Sequence, residues 1–270
     1  DGREDSRTMD VFITQVSPPD ENGFCSFGHE LWERKKYARA AKTVIGEVSE
    51  HAIRTYGDNF IHVSEIDYFV DVTMPLPTPE EIEMVINAFP EERRQEARRM
   101  SPGFHPFIVK LAVPFLEQRP FEELERVLGI DEPDEASKAI AENLKTVLKD
   151  RDTIQIGIGR PSRWMVELGV FDRFSDLSIY SEMGCPGMPK LVERGIVTGK
   201  YATLHPGQAV FTGFQGCRWD DIQFAHENPM FALYGSDYVI DISNIAANDN
   251  MVAINNGLQV DLVGQITCET

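Results

Sequence analysis

Three groups of residues in this chain have types and spacings that could do chemistry. In "IYSEMGCPG", Glu182 ends a short apolar run and is followed at once by a Gly/Pro-rich turn. In "IQIGIGRPSRWMVEL", Gly157, Ile158 and Gly159 make a Gly-x-Gly turn between an apolar run and a helical pattern. Such a turn lets backbone approach a ligand, and the helix N-terminus after it favours an anion. In "VAINNGLQVDLVGQI", Asn255, Asn256 and Gln259 interrupt a run that should be buried. Uncharged amides there are either satisfied internally or orient a polar ligand, and on composition the two readings stand even. The other two groups have ordinary readings that spacing alone favours. A glutamate at a strand end is usually a solvated acid. The glycine turn fails as a dinucleotide fingerprint, since Ser162 occupies the third glycine position, and Pro161 suits a tight connection into a helix.

Other chemistries find less support. No GxSxG elbow is present, and Ser181 has no histidine near it in sequence. Cys185 lies in a loop, but nothing local would lower its pKa. Cys25, Cys185, Cys217 and Cys268 are far apart, and the six histidines form no HxxxH or HExxH pair, so no metal site is expected. Reduced thiols and a cytoplasmic location are the expectation. Forty-four acids against 26 bases give a net charge of −18, which argues against a nucleic-acid partner. No apolar run approaches the roughly 18 residues of a membrane helix.

The elements that must position these residues read as α/β. "MDVFITQV" is a buried strand, Val11 to Val16, followed by a turn and a Gly-rich loop. "KKYARAAKTVIGEV" reads as a helix with Ala38, Ala41 and Ile45 on one face, running into a strand, and "FIHVSEIDYFVDV" as a further strand-like stretch. From Pro75 to Pro133 the pattern changes to short, charge-rich helices broken by prolines, read as a solvated helical insertion or cap. "DEASKAIAENLKTVLKD" is an amphipathic helix with Ala139, Ile140, Leu144, Val147 and Leu148 on its apolar side. Strand, turn and helix then alternate to the end, which suggests parallel-sheet units. Connectivity of that kind sets the "GIGRP" and "SEMG" turns side by side at the carboxyl edge of one sheet, where open α/β sheets bind ligands.

Three stretches together, "QVSPPDENGFCSFG", "IQIGIGRPSRWMVELGVF…LSIYSEMG…LVERGIVTGK" and "NDNMVAINNGLQVDLVGQI", resemble the acetyl-CoA hydrolase/transferase family, of the 4-hydroxybutyrate and butyryl-CoA:acetate transferase type. The resemblance covers about residues 8–75 and 135–270. It implies two related α/β domains with mainly parallel sheets, this chain being a fragment. Residues 1–79 would end the first domain, 80–134 would be a helical insertion or linker, and 135–270 an incomplete second domain holding the catalytic glutamate. A glycine-rich loop of the oxyanion site is expected beyond residue 270.

Glu182 matches the family's nucleophile. Gly157, Ile158, Gly159, Met183, Gly184, Asn255 and Gln259 fall on its CoA and substrate pocket, the glycines after Glu182 letting an acyl-CoA approach. Some members carry Glu where this chain has Gln259, but Glu182 is the better match. The implied reaction moves CoA from a short-chain acyl-CoA to a small carboxylate through a glutamyl-CoA thioester. It uses no metal and no cofactor beyond CoA as substrate. Hydrolysis of the same intermediate, or a non-catalytic CoA-binding subunit, are the alternatives, and a homo-oligomer is compatible with all three.

Overall fold

A computed structural model of the chain describes residues 9–116, 128 and 132–268. The helical pattern "PFEELERVLGI" lies outside the described residues, apart from Leu128. In chain order the described strands are β1 (Met9–Val16), β2 (Phe24–Ser26), β3 (Ala41–Val48), β4 (Tyr56–Gly57), β5 (Phe60–His62), β6 (Tyr68–Asp71) and β7 (Thr153–Ile156). They continue with β8 (Ser178–Ile179), β9 (Ala209–Phe211), β10 (Phe231–Leu233), β11 (Met251–Ile254), β12 (Gln259–Val260) and β13 (Ile266–Thr267).

The architecture is mixed α/β with mainly parallel sheets. One parallel sheet runs β1-β3-β6. Two further parallel triplets, β11-β7-β8 and β9-β10-β4, are joined by bridges from Tyr180 to Val210 and from Met183 to Gly213. The result is one twisted layer in the order β11-β7-β8-β9-β10-β4. Its central strands are buried on both faces, as parallel sheets require. Ile154, Ile156, Ile179, Phe211, Phe231 and Leu233 supply its core. The edge strand β4 comes from the first part of the chain. Gly57, at φ +91°, lies so close to β10 that a Cβ would sit 2.3 Å from the Leu233 carbonyl oxygen, so glycine is required there.

The proline-broken stretch folds as short helices around their own core of Val85, Ile86, Phe89, Ala97, Phe104 and Val109. Its first helix, Pro79–Asn87, starts with proline at the first turn and a capping box. Glu81 N–H donates to the Thr78 hydroxyl (3.2 Å), and Thr78 N–H donates to the Glu81 carboxylate (2.8 Å). Among the described residues no helix is long and apolar enough to cross a membrane.

Some local expectations change. The helix Arg34–Ala40 stops earlier than its pattern suggests, so Ala41 and Ile45 belong to β3. "FIHVSEIDYFVDV" is two strands, parted by a 3-10 turn at Val63–Glu65 that His62 and Glu65 cap. The helix Glu135–Val147 buries Ser137, Ala141 and, just past its end, Leu148. Ile140 and Val147 stay 40% and 60% exposed, so the buried stripe is rotated from the one its hydrophobic residues mark. After the glycine turn only Arg160–Arg163 is α-helical. The chain then winds inward through turns, because Trp164, Met165, Val170 and Phe171 all enter the core.

Candidate active site

Since β11, β7 and β8 are parallel neighbours, their carboxyl ends open on one edge. Asn255 follows β11, Gly157–Gly159 follow β7, and Glu182 lies beyond β8 on the stretch that stays bridged to the β9 side of the layer. Two buried hydroxyls hold this edge in shape. Ser181 Oγ accepts from Ile156 N–H (3.3 Å) and donates to the Met183 carbonyl (2.8 Å), tying the two turns together. Thr212 fixes the Glu182 backbone, its N–H (2.8 Å) and hydroxyl (2.5 Å) both donating to the Glu182 carbonyl. Ser181 therefore acts as a clamp.

The Glu182 side chain is half-buried. Among the described residues its carboxylate has no hydrogen bond and no ion pair, while its backbone carbonyl is held by Thr212. A carboxylate held this way keeps its lone pairs for another molecule.

The glycine turn is gripped from the β11 side. Asn256 Nδ2 donates to the Ile158 carbonyl (2.6 Å) and to Ser162 Oγ (3.0 Å). Ser162 Oγ donates in turn to the Gly157 carbonyl (2.5 Å). Asn255 and Gln155 exchange amide hydrogen bonds of 2.9 and 3.1 Å. A Cβ on Gly157 would lie 2.1 Å from Asn255 Oδ1, and one on Gly159, at φ +143°, 2.0 Å from Asn256 Nδ2. Both glycines make room for asparagines of the same chain. The two amides thus act as internal hydrogen-bonders, and they stiffen a turn whose tip, Ile158, stays 71% exposed.

The remaining expected residues fall differently. Met183 is buried beside Gly213. Gly184 serves packing rather than ligand approach, because a Cβ there would lie 2.8 Å from Cys217 Sγ. Gln259 lies apart from the cluster, exposed and paired with Thr267 on the separate hairpin β12-β13. Cys185 and Cys217 are buried beside Asp221, and desolvation drives both thiols far up. Neither is poised as a nucleophile.

Residues without a local sequence signal complete the edge. The segment around Glu30 runs antiparallel to Gly213, with Phe214 N–H donating to the His29 carbonyl (2.8 Å) and Leu31 N–H to the Thr212 carbonyl (2.9 Å). Glu30 accepts from Arg34 at 2.5 Å and approaches His29 at 3.3 Å. Burial pushes the Glu30 carboxyl up, but His29, Gln215 and Arg34 together hold it below its usual range.

Comparison with known proteins fits this arrangement. The acetyl-CoA hydrolase/transferase N-terminal domain model matches residues 2–78 and the C-terminal domain model residues 221–270. The chain is 35% identical over 269 residues to a 4-hydroxybutyrate coenzyme A transferase of Clostridium kluyveri, covering 99% of this chain and 50% of the relative. Among solved structures, RipA from Yersinia pestis superposes with a TM-score of 0.69 at 28% identity, covering 96% of this chain and 48% of that one. A 4-hydroxybutyrate CoA-transferase from Porphyromonas gingivalis gives 0.67 at 27% identity, over 95% and 52% of the two chains. The chain spans about half the length of the curated relatives it matches. The two ends of the chain thus resemble the N- and C-terminal domains of the acetyl-CoA hydrolase/transferase family, and a CoA-transferase relative aligns along nearly the whole of this chain and half of its own length.

Proposed function

We propose that the polypeptide carrying this chain moves coenzyme A between a short-chain acyl-CoA and a small carboxylate of the 4-hydroxybutyrate, butyrate or acetate type, with Glu182 as nucleophile. In this reading residues 1–79 complete one CoA-transferase domain, 80–134 form a helical insertion, and 135–270 carry the nucleophile. The observation that supports it is the unpartnered Glu182 carboxylate on a backbone fixed by Thr212, at a carboxyl edge shared with the Gly157–Gly159 turn.

A Glu182 oxygen attacks the thioester carbonyl carbon, the C–S bond breaks, and CoA thiolate leaves a mixed anhydride. The thiolate then attacks the glutamyl carbonyl, releasing the first acid as its carboxylate and forming glutamyl-CoA. The acceptor carboxylate reverses both steps and frees Glu182. Charge passes between carboxylate and thiolate throughout, so no proton is needed and covalent catalysis divides the exchange into easier parts.

The test is Glu182→Gln in the full-length polypeptide. Transfer from acetyl-CoA to butyrate, followed by mass, falls by about a thousandfold or more, the scale of losing a nucleophile. Hydroxylamine converts wild type, but not the variant, to a hydroxamate at residue 182 when acyl-CoA is present. Retained transfer in the variant refutes the assignment.

A further inference from the structure

The turn that carries the chain away from Glu182 is strapped to a second segment. Gly184 N–H donates to the Gly213 carbonyl (2.9 Å), Cys217 Sγ to the Cys185 carbonyl (3.3 Å) and Gly187 N–H to Asp221 Oδ2 (2.8 Å). Lys190 closes the strap on Asp220. The two backbones run close, since a Cβ on Gly216 would lie 2.7 Å from the Gly184 carbonyl oxygen. A shift of the second segment is therefore passed to the residues that follow Glu182.

Arg218, on that second segment, reaches out of the strap. It opens the helix Trp219–Phe224, and its N–H shares Asp221 Oδ2 with Gly187 (3.2 Å). Its guanidinium donates to the Met100 carbonyl of the helical stretch (2.8 Å) while Nε stays on Asp220 (3.3 Å). The side chain seats over Gly103, where a Cβ would lie 2.5 Å from Arg218 Cζ, so the glycine is what admits it. Beside it the Trp219 ring meets His105 edge-on at 5.2 Å, and His105 meets His29 at 6.0 Å. His29 precedes Glu30, the residue bridged to Gly213. The helical stretch thus bears on the strap from two sides, through Arg218 and through His29. Having a packed core of Val85, Ile86, Phe89 and Val109, it resists displacement as a loop would not.

We propose that Arg218 is a positioning residue for the reaction: seated on Gly103 and bonded to Met100, it braces the strap against the helical stretch and so keeps the Glu182 carboxylate aligned on the thioester. The proposal rests on the reading of Glu182 as nucleophile. What the brace supplies is alignment and not affinity for CoA, and a misplacement of roughly 1 Å costs up to about a hundredfold in rate.

Transfer from acetyl-CoA to butyrate is measured in the full-length polypeptide carrying Arg218→Ala, Gly103→Ala or both. The first removes the brace and the second pushes it off its seat, so each lowers kcat by about tenfold with KM held within about twofold. The double variant is no slower than Arg218→Ala, because the added methyl then meets no guanidinium. Additive losses, a rise in KM with kcat kept, or full activity in Arg218→Ala overturns the proposal. So does an equal fall in Arg98→Ala, whose pair with Glu83 (2.8 Å) stays within the helical stretch, since lost stability would then be the cause. Hydrogen exchange of residues 183–190 separates the brace from the parent reading. Exchange about tenfold faster in Arg218→Ala supports the brace whatever the nucleophile, and unchanged exchange sinks it. Transfer surviving Glu182→Gln overturns the nucleophile alone.

Discussion

Replacing Asn256 with alanine should loosen the glycine turn, while the same change at its neighbour Asn255 should do little. Asn256 Nδ2 supplies two hydrogen bonds, to the Ile158 carbonyl at 2.6 Å and Ser162 Oγ at 3.0 Å, and the second is partly buried. A net hydrogen bond contributes about 0.5–1.5 kcal/mol, so the pair amounts to ~1.5–2 kcal/mol once the exposed partner's return to water is allowed for. For a domain of this size that is a fall in melting temperature of roughly 3–8 °C. Asn255 makes its reciprocal bonds with Gln155 in solvent, where both amides can turn to water, so its loss costs about 0.5 kcal/mol at most. Scanning calorimetry of the full-length polypeptide measures both variants, and CoA-exchange rates on the same samples report the turn's effect on the reactive edge. Exchange should fall with Asn256→Ala and hold with Asn255→Ala. Equal melting shifts in the two variants, or no shift in either, would refute the clamp.

Two further outcomes follow from buried groups. Desolvation raises the pKa of Cys25, Cys185 and Cys217, and all three are buried, whereas Cys268 is exposed. A disulfide reagent at pH 8 should therefore modify Cys268 in the native protein and the other three only after unfolding; rapid labelling of Cys185 would contradict the packing. Asp221 is fully buried, and burial raises its pKa even though its Oδ2 accepts from the Gly187 (2.8 Å) and Arg218 (3.2 Å) amides. A raised folded pKa stabilises below the unfolded value near 3.8 and loses that contribution as pH rises through the folded value. Asp221→Asn keeps an acceptor for both amides without the charge, so its melting temperature should gain on wild type between pH 4 and pH 7. A difference that does not change with pH would show that ionisation of Asp221 is not what limits stability.

The shared edge of β7 and β8 was legible because strand, glycine turn, helical pattern and next strand follow at the spacing of one parallel unit. That logic put the Gly157–Gly159 turn beside Glu182 without knowledge of any side-chain contact. The grip of Asn256 on the turn was not legible, since it joins residues nearly a hundred positions apart and depends on β11 pairing with β7. Hydrophobic counting also misread the helix Glu135–Val147. Ile140 and Val147 mark an apolar stripe, yet the small Ser137 and Ala141 are the residues that let the helix approach its neighbour closely. The family resemblance put Gln259 on the pocket, whereas β11 ends at Ile254 and the chain turns out into a hairpin. The meeting of His29 with His105 had no signal at all, because nothing local links a loop after β2 with a helix start in the proline-broken stretch.

The two-residue strand β4 carries a consequence for how the molecule is made. It is synthesised long before β10, its one strand neighbour among the described residues, and its glycine is shaped for a backbone not yet present. Until β10 arrives, the early part of the chain holds an unfilled seam, and when β10 arrives it lacks an edge unless that part is already at hand. Separation of the two parts would therefore leave each with an open strand, the kind of surface that invites aggregation. The early and late parts are tied together by this short pairing and by the Glu30–Gly213 bridge, so neither completes its sheet without the other.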